Sequence, residues 1–183
     1  MAVPALPSSE TAGNVYTAAK VNTIRSLQQW HRDTAPVFKG QGYSNGVNDV
    51  GVATATNTTV GFGQAGSFWA TPGINVGGWT VQGSDSDPES LVVPESGIYV
   101  VSVFNHWAAD SSGFRSTQIF LDGSGVSGGR VIGPAAPTGV TMQNLTTVLD
   151  LAANDELDVS VNQSSGSTLA ATVYLAAYWI RST

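Results

Sequence analysis

The acidic loop SDSDPES is the strongest candidate for metal chemistry in this sequence. It places Asp85, Asp87 and Glu89 at alternating positions, and carboxylate oxygens are ligands that Ca²⁺ prefers. The loop lacks the full Asp-x-Asp-x-Asp-Gly pattern with a distal Glu. Asp110 and Asp122 would complete a cage only if their loops converged on this one. Two interpretations therefore stay open, a solvated loop and a weak calcium site. We expect no other metal site and no cofactor.

Histidine and serine, which carry acid–base and nucleophilic catalysis, occur without their usual partners. His31 and His106 are the only histidines, and no His and carboxylate residues have the spacing of a three- or four-ligand metal site. A nucleophilic serine would need a strained turn, and no Gly-x-Ser-x-Gly motif surrounds Ser102 or Ser111. We expect structural or interfacial roles for both histidines and no enzymatic activity.

Aromatic and glycine-rich segments suggest binding chemistry only weakly. Trp69, Trp79 and Trp107 would suit a sugar-binding platform, because aromatic faces stack on the apolar faces of sugars. Packing in a core or an interface is the alternative for these three. The glycine-rich residues 61–66 and 123–130 are predicted to be loops, since neither segment precedes a helix whose N-terminus would hold a phosphate.

Composition and charge exclude several classes of protein. Only 11% of the residues are charged, against about 25% in an ordinary soluble domain, and the net charge is −6. Nucleic-acid binding needs clustered cations, which this chain lacks. No apolar run reaches the roughly 18 residues of a membrane span, and no cysteine is present. The N-terminus lacks the features of a signal peptide. We expect no nucleic-acid partner, no membrane insertion and assembly in the cytoplasm.

Residues 1–35 differ from the rest of the chain and are predicted to form an N-terminal arm and an anchoring helix. Residues 1–12 are rich in Pro, Ser and Ala, which indicates an extended arm. A single helix follows, with Thr17 as its N-cap, and it ends before Pro36. Its apolar stripe consists of Val21, Ile24, Leu27 and Trp30. A helix of about 14 residues is marginal alone in water, so this stripe must pack on the domain, a symmetry mate or another protein.

Residues 36–183 are predicted to form one all-β domain. Short apolar runs separated by turn residues every 8 to 12 positions favour a β-sandwich or jelly roll over a parallel α/β sheet. The predicted strands cover residues 37–39, 50–54, 58–62, 78–82, 90–93, 98–108, 116–121, 130–132, 141–151, 157–162 and 169–180. Asp122-Gly123 predicts a hairpin, and Ala153-Asn154-Asp155 predicts a tight turn between two long strands.

Two long strands, GIYVVSVFNHW and ATVYLAAYWI, carry apolar side chains on both faces. Burying one such side chain is worth about 1.5–3 kcal/mol, so a whole exposed face of them is unfavourable. An interface between symmetric copies would bury the second face, and the alternative is that the arm and long loops cover it. The residues predicted to form this interface between copies are Tyr99, Val101, Val103, Tyr174, Tyr178 and Ile180.

The segment LVVPESGIYVVSVFNHWAA resembles the strand pair that opens the complement globular-head and tumour-necrosis-factor-like jelly rolls. STQIFLDG is similar to that family's strand ending in an Asn/Asp-Gly turn. LAANDELDVSVNQSSGST resembles its Gly-Asp turn and following strand, with Asn154 where the family usually has Gly. TVYLAAYWIRST resembles its aromatic C-terminal strand. The resemblance covers about residues 75–182 and implies a ten-strand jelly roll assembled as a tight trimer, with the aromatic strands near the threefold axis.

The segment VYTAAKVNTIRSLQQW resembles the start of many small structural proteins of tailed bacteriophages, with Val21 where Leu is more common. This second resemblance implies a non-enzymatic virion protein. We expect a homotrimer that decorates the capsid and docks on phage capsid or tail proteins through its N-terminal segment. One alternative is a tail-tip or receptor-binding protein that contacts host-surface glycan. Another is a polysaccharide hydrolase, for which the scattered acids lack the necessary pairing.

Overall fold

The computed structural model describes residues 18–42, 50–62, 73–82 and 90–183. These residues form two antiparallel sheets that pack face to face, preceded by one helix, so the predicted all-β jelly-roll class is confirmed. The elements are α1 (Ala18–Asp33), β1 (Val37–Gln41), β2 (Val50–Val52), β3 (Thr58–Val60), β4 (Ile74–Val76), β5 (Thr80–Gln82), β6 (Ser90–Val92), β7 (Gly97–Trp107), β8 (Phe114–Leu121), β9 (Ser124–Pro134), β10 (Thr141–Leu151), β11 (Glu156–Gln163) and β12 (Leu169–Arg181).

The first sheet has the strand order β10–β7–β12–β1–β4, and β2 also pairs with β12. The second sheet has the order β5–β6–β11–β8–β9, and β3 also pairs with β11. The predicted turn at Ala153-Asn154-Asp155 connects β10 of one sheet to β11 of the other. Asn154 adopts a φ of 75° there, a conformation that Asn tolerates better than most residues. The chain therefore crosses between the two layers of the sandwich at this turn.

The core lies between the sheets and takes the inward face of each strand. In β7 the buried side chains are those of Tyr99, Val101, Val103, Asn105 and Trp107, which alternate with outward-facing residues. The Tyr99 hydroxyl donates a hydrogen bond to the backbone oxygen of Glu95 at 2.7 Å. Burial raises the pKa of this hydroxyl well above its ordinary value, so it stays protonated and remains a donor.

Two strands differ from the sequence prediction. β4 was not predicted, because three residues are too short a run to identify a strand from its own pattern, and the segment is a strand by its pairing with β1. β9 begins at Ser124 rather than at Arg130, so the prediction of a loop over residues 123–130 is wrong for most of that segment. The register between β8 and β9 shifts between Gln118 and Phe120, which makes residues 126–129 a bulge. Bulges of this kind discourage further pairing at a sheet edge.

Helix α1 confirms the predicted helix, while its predicted N-cap, Thr17, lies outside the described residues. The helix ends where the backbone N–H groups of Thr34 and Ala35 both donate to the oxygen of Trp30, at 2.8 and 3.0 Å. Pro36 follows, and its backbone oxygen accepts a hydrogen bond from the Trp179 N–H at 3.0 Å. The helix therefore leads directly into the first sheet. Within the described ranges, no helix is long and apolar enough to cross a membrane.

Candidate functional site

The outer face of the first sheet carries most of the exposed large hydrophobic side chains of the described residues. Strand pairing aligns Val148, Val100, Tyr178, Val37 and Val76 in one row across β10, β7, β12, β1 and β4. The large hydrophobic side chains on this face are between 38% and 61% exposed. They are Ile74, Phe104, Met142, Val148, Tyr174, Tyr178 and Ile180, and we call this surface the apolar face.

Aromatic rings occupy the middle of the apolar face. Phe104 on β7 lies beside Tyr174 on β12, with ring centroids 6.2 Å apart and an interplanar angle of 37°. Charged side chains on this face belong to strands away from its centre, Lys39 on β1 and Asp150 on the edge strand β10. The Ser102 and Thr146 hydroxyls hydrogen-bond each other at 3.0 Å. This arrangement suits contact with another apolar surface and contains no catalytic grouping.

The outer face of the second sheet is more polar, although Ile132 of β9 is 54% exposed on it. In β11, Leu157, Val159 and Val161 face the core, as their alternation predicts, and they alternate with Asp158, Ser160 and Asn162, of which Ser160 is only 8% exposed. Arg130 Nε donates to Ser116 Oγ at 3.1 Å on the same outer side. The two outer faces therefore differ in chemistry, because most of the exposed large hydrophobic side chains lie on the first sheet.

Desolvation by burial raises the pKa of Asp158 on this polar face. A hydrogen bond with the Ser90 side chain acts in the opposite direction, and the nearby charge of Asp122 adds to the increase. Asp122 itself accepts a hydrogen bond from the Glu156 N–H at 2.9 Å, which fixes the turn between β8 and β9. Burial therefore makes the charged form of Asp158 unfavourable in the folded protein.

At one end of the sandwich, helix α1 contacts the first sheet through its last turn. The Trp30 ring packs edge-on against Trp179 with centroids 4.8 Å apart, and Trp30 is only 6% exposed. The centroid of the His31 ring lies 5.3 Å from that of the Trp179 ring, and His31 Nε2 is 3.3 Å from the backbone oxygen of Ile180. The stripe residues Ile24 and Leu27 remain partly exposed. We call this end of the sandwich the helix end.

At the opposite end, a buried guanidinium organises the loop between β7 and β8. Arg115 is fully buried, and its side chain donates to the backbone oxygens of Asp110, Ser112 and Phe114 at 2.9–3.0 Å. The Asp110 carboxylate lies 3.6 Å away, and the guanidinium stacks 5.8 Å from the centre of the Trp107 ring. The two terminal nitrogens of this cation have partners inside the protein, and these contacts fix the loop, while the buried Nε has no hydrogen-bond partner among the described residues.

No protein-family model matches the chain, and no curated protein matches it in sequence. Solved structures do match. The structure of Eiger TNF from S. frugiperda has 15% identity and a TM-score of 0.50, covering 81% of this chain and 95% of that chain. The PRD1 vertex protein P5 has 16% identity and a TM-score of 0.53, covering 81% of this chain and 99% of that one. The chain has a TNF-like jelly-roll fold.

The six residues of the predicted trimer interface lie on two different sides of the first sheet. Tyr174, Tyr178 and Ile180 lie on the apolar face, as expected, whereas Tyr99, Val101 and Val103 are at most 1% exposed and point into the core. The prediction combined opposite sides of two paired strands, because alternation alone does not tell which side of each strand faces inward. The register with neighbouring strands shows which side of each strand faces the core.

The other members of the apolar face were missed as interface residues. Met142 and Val148 lie on β10, and Phe104 lies on β7 directly beside Tyr174. The alternation in TMQNLTTVLDL would have identified Met142 and Val148 as sharing one side of their strand. Ile74 was missed because β4, a strand of only three residues, was not predicted.

The four predicted anchoring residues differ in how much of each side chain is exposed. Trp30 packs on Trp179 of its own sandwich and is only 6% exposed, so its ring offers little surface to a partner, and its anchoring role stays a prediction. Val21, Ile24 and Leu27 stay candidates for contact with a partner, because each remains partly exposed.

The tryptophans do not form a sugar-binding platform in the described part of the chain. Trp79 and Trp107 are buried, at 3% and 0% exposure. Trp107 donates from Nε1 to Gln143 Oε1 at 3.2 Å, inside a polar cluster that includes Thr117. Trp69 lies outside the described residues.

The calcium interpretation gains no support from the described carboxylates. Asp85, Asp87 and Glu89 lie outside the described residues. Asp110 and Asp122 sit beyond opposite ends of the eight-residue strand β8, which spans about 25 Å, so they cannot complete one cage. In the described ranges, no group of three or more His, Asp or Glu side chains has a metal-binding arrangement.

Proposed function

We propose that this protein is a non-enzymatic structural component of a bacteriophage virion, a homotrimer that decorates the capsid and docks through its N-terminal segment. The observation that carries the proposal is the apolar face, which is wide, exposed and opposite to a more polar face on the other sheet. The PRD1 vertex protein P5 supports the virion role, since its fold is similar to that of this chain.

A closed trimer accounts for the apolar face in physical terms. Each buried aliphatic or aromatic side chain contributes about 1.5–3 kcal/mol, and rotational symmetry covers the same face in every copy. Tyr174 and Tyr178 suit such an interface, because a large ring buries much area with few rotatable bonds. An open chain of copies would leave one apolar face exposed at its end.

Docking through the N-terminal segment fits the position of α1. The helix enters at one end of the sandwich, while the loop fixed by Arg115 lies at the other end. A trimer would present three N-terminal segments on one side. Linked segments bind with a high effective concentration, so modest affinity for each one suffices for stable attachment.

Two truncations test this proposal together with light scattering and imaging of labelled protein on intact particles. Removal of residues 1–17 leaves Trp30 and its contact with Trp179 in place, and removal of residues 1–34 takes the helix as well. We expect a trimeric mass for the full chain and loss of particle occupancy for both truncated forms. Occupancy equal to that of the full chain after both truncations would contradict the docking role, and a monomeric mass would contradict the trimer.

A tail-tip or receptor-binding role is the second candidate, and the rigid loop end favours it. Gln163 donates to the oxygens of Val52 and Ser167 at 2.9 and 2.7 Å, and Arg115 holds the neighbouring loop. Rigid loops rich in hydroxyl groups at the end away from the helix suit contact with host-surface glycan. A glycan array with no bound sugar, alongside labelled particles decorated over the whole capsid, would favour decoration over attachment.

A further inference from the structure

We propose that the interior of the sandwich, at the end away from α1, binds one ordered water molecule that accepts a hydrogen bond from Arg115 Nε and donates one to Asn105 Oδ1. The site lies within a single copy of the chain. The inference therefore goes beyond the proposed function and does not depend on the trimer.

The site belongs to a polar cluster that lies between the two sheets. Five side chains that point into the sandwich form it: Asn105 and Trp107 on β7, Arg115 and Thr117 on β8, and Gln143 on β10. Each of the five is at most 7% exposed. Because bulk water does not reach their polar atoms, these atoms need partners inside the protein.

The hydrogen bonds of the cluster fix the orientation of the Gln143 amide. Its Nε2 donates to the backbone oxygen of Arg115 at 2.9 Å, and its Oε1 accepts from Trp107 Nε1 at 3.2 Å. An indole nitrogen can only donate and a backbone oxygen can only accept, so the two ends of this amide cannot be exchanged. The Thr117 hydroxyl donates its single proton to the same Oε1 at 2.9 Å.

The orientation of the Asn105 amide follows from that proton. Since the Thr117 proton is directed at Gln143, the Thr117 oxygen can only accept from Asn105, whose Nδ2 donates to it at 3.1 Å. Asn105 Oδ1 must therefore face away from Thr117. This oxygen is buried and has no hydrogen-bond partner among the described residues. The cluster thus contains one buried acceptor that still requires a donor.

Arg115 supplies the complementary atom, a buried donor. Its two terminal nitrogens donate to loop oxygens, whereas its Nε has no hydrogen-bond partner within the described ranges. The guanidinium lies over Trp107, which neighbours Asn105 on the inward face of β7. Such neighbours are about 7 Å apart along a strand, and a water with two hydrogen bonds of about 2.9 Å joins atoms up to about 6 Å apart. The two side chains are therefore neighbours on the scale that one water spans.

Water suits this pair of atoms better than an ion does. A water molecule can accept from Arg115 Nε and donate to Asn105 Oδ1 at the same time, and two polar partners are enough to hold a buried water. The guanidinium would repel a cation, and the amide oxygen would repel an anion. Because the two residues belong to different sheets, the water links the sheets next to the loop that Arg115 fixes.

A high-resolution crystal structure of the full, unmodified chain tests the site directly. We expect a solvent peak about 2.7–3.2 Å from both Arg115 Nε and Asn105 Oδ1 in every copy. Three results would overturn the inference: no peak at this position, a peak bonded to only one of the two atoms, or a direct hydrogen bond between Nε and Oδ1.

Oxygen-17 relaxation dispersion, which counts waters with long residence times, tests the site in solution. Asn105→Leu keeps a similar shape but removes the acceptor, so it should lose one long-lived water relative to the unmodified chain. Asn22→Leu is the matched control, because it makes the same change at an exposed position of α1 and should keep the full number. An unchanged number in Asn105→Leu would overturn the inference. The crystal structure remains decisive if Asn105→Leu does not fold, and none of these outcomes bears on the trimer.

Discussion

Trp30 and Trp179 meet edge to face, with ring centroids 4.8 Å apart and ring planes at 76°. The contact joins α1 to the end of β12, where the Trp179 N–H also bonds the Pro36 oxygen at 3.0 Å. Backbone and side chains thus fix the same junction. The direction in which the N-terminal segment leaves the sandwich depends on this pair.

Trp30→Ala should lower the free energy of unfolding by about 3 kcal/mol, because it removes a buried indole and leaves a cavity against Trp179. Gln29→Ala is the control, since this neighbouring side chain is exposed and its loss should change stability by no more than about 0.5 kcal/mol. Denaturant unfolding at one fixed protein concentration measures both variants. Equal stability of the two would contradict the structural role of the tryptophan pair.

Alternation predicted most of the long strands, because inward and outward residues along them have a period of two. β10 matches the predicted residues 141–151, and β7 and β12 match within one residue at each end. The short strands β2 and β3 and the glycine-rich β9 matched less well, since pairing with a neighbour rather than their own pattern defines them.

The candidate surface was only half predictable. The excess of apolar residues on β12 predicted an interface on one of its faces, but the choice between the two sides of β7 needed its register with β12. Arg115 is a similar case. A charged residue at the start of RSTQIF gives no sign of burial, and only the loop carbonyls that surround it explain its position.

Arg115→Met should destabilise the fold by about 3 kcal/mol. The substitution keeps the apolar stem but leaves three backbone oxygens without their donor and the Asp110 carboxylate without its cation. Hydrogen exchange should become faster in residues 110–113 before any other change appears. Arg130→Met is the control, because that exposed side chain makes one hydrogen bond with Ser116 and should lose about 1 kcal/mol or less. Unchanged exchange in the loop of Arg115→Met would contradict its positioning role.

Asp158→Asn should raise the melting temperature at pH 7. Burial raises the pKa of this carboxyl in the folded state, so the folded protein binds its proton more tightly than the unfolded chain does. That preference stabilises the fold below the ordinary Asp pKa of about 3.9 and is lost as the pH rises through the higher folded value. The benefit of Asn should therefore be present at pH 7 and absent near pH 3. Asp150→Asn, at an exposed position, is the control, and an equal gain for both variants at pH 7 would contradict the burial argument.

Tyr178→Asp should convert the proposed trimer to monomers without unfolding the sandwich. Tyr178 is 43% exposed in a single chain and lies between Val100 and Val37 in the central row of the apolar face. A carboxylate there costs little while the face is in water, but three copies would bury three unpaired negative charges around one axis. Light scattering should give the mass of one chain, with circular dichroism unchanged. Thr138→Asp adds the same charge to an exposed loop at the other end of the sandwich and should remain trimeric. A trimeric Tyr178→Asp would mean that copies meet through another surface, and the apolar face would then lose its part in assembly.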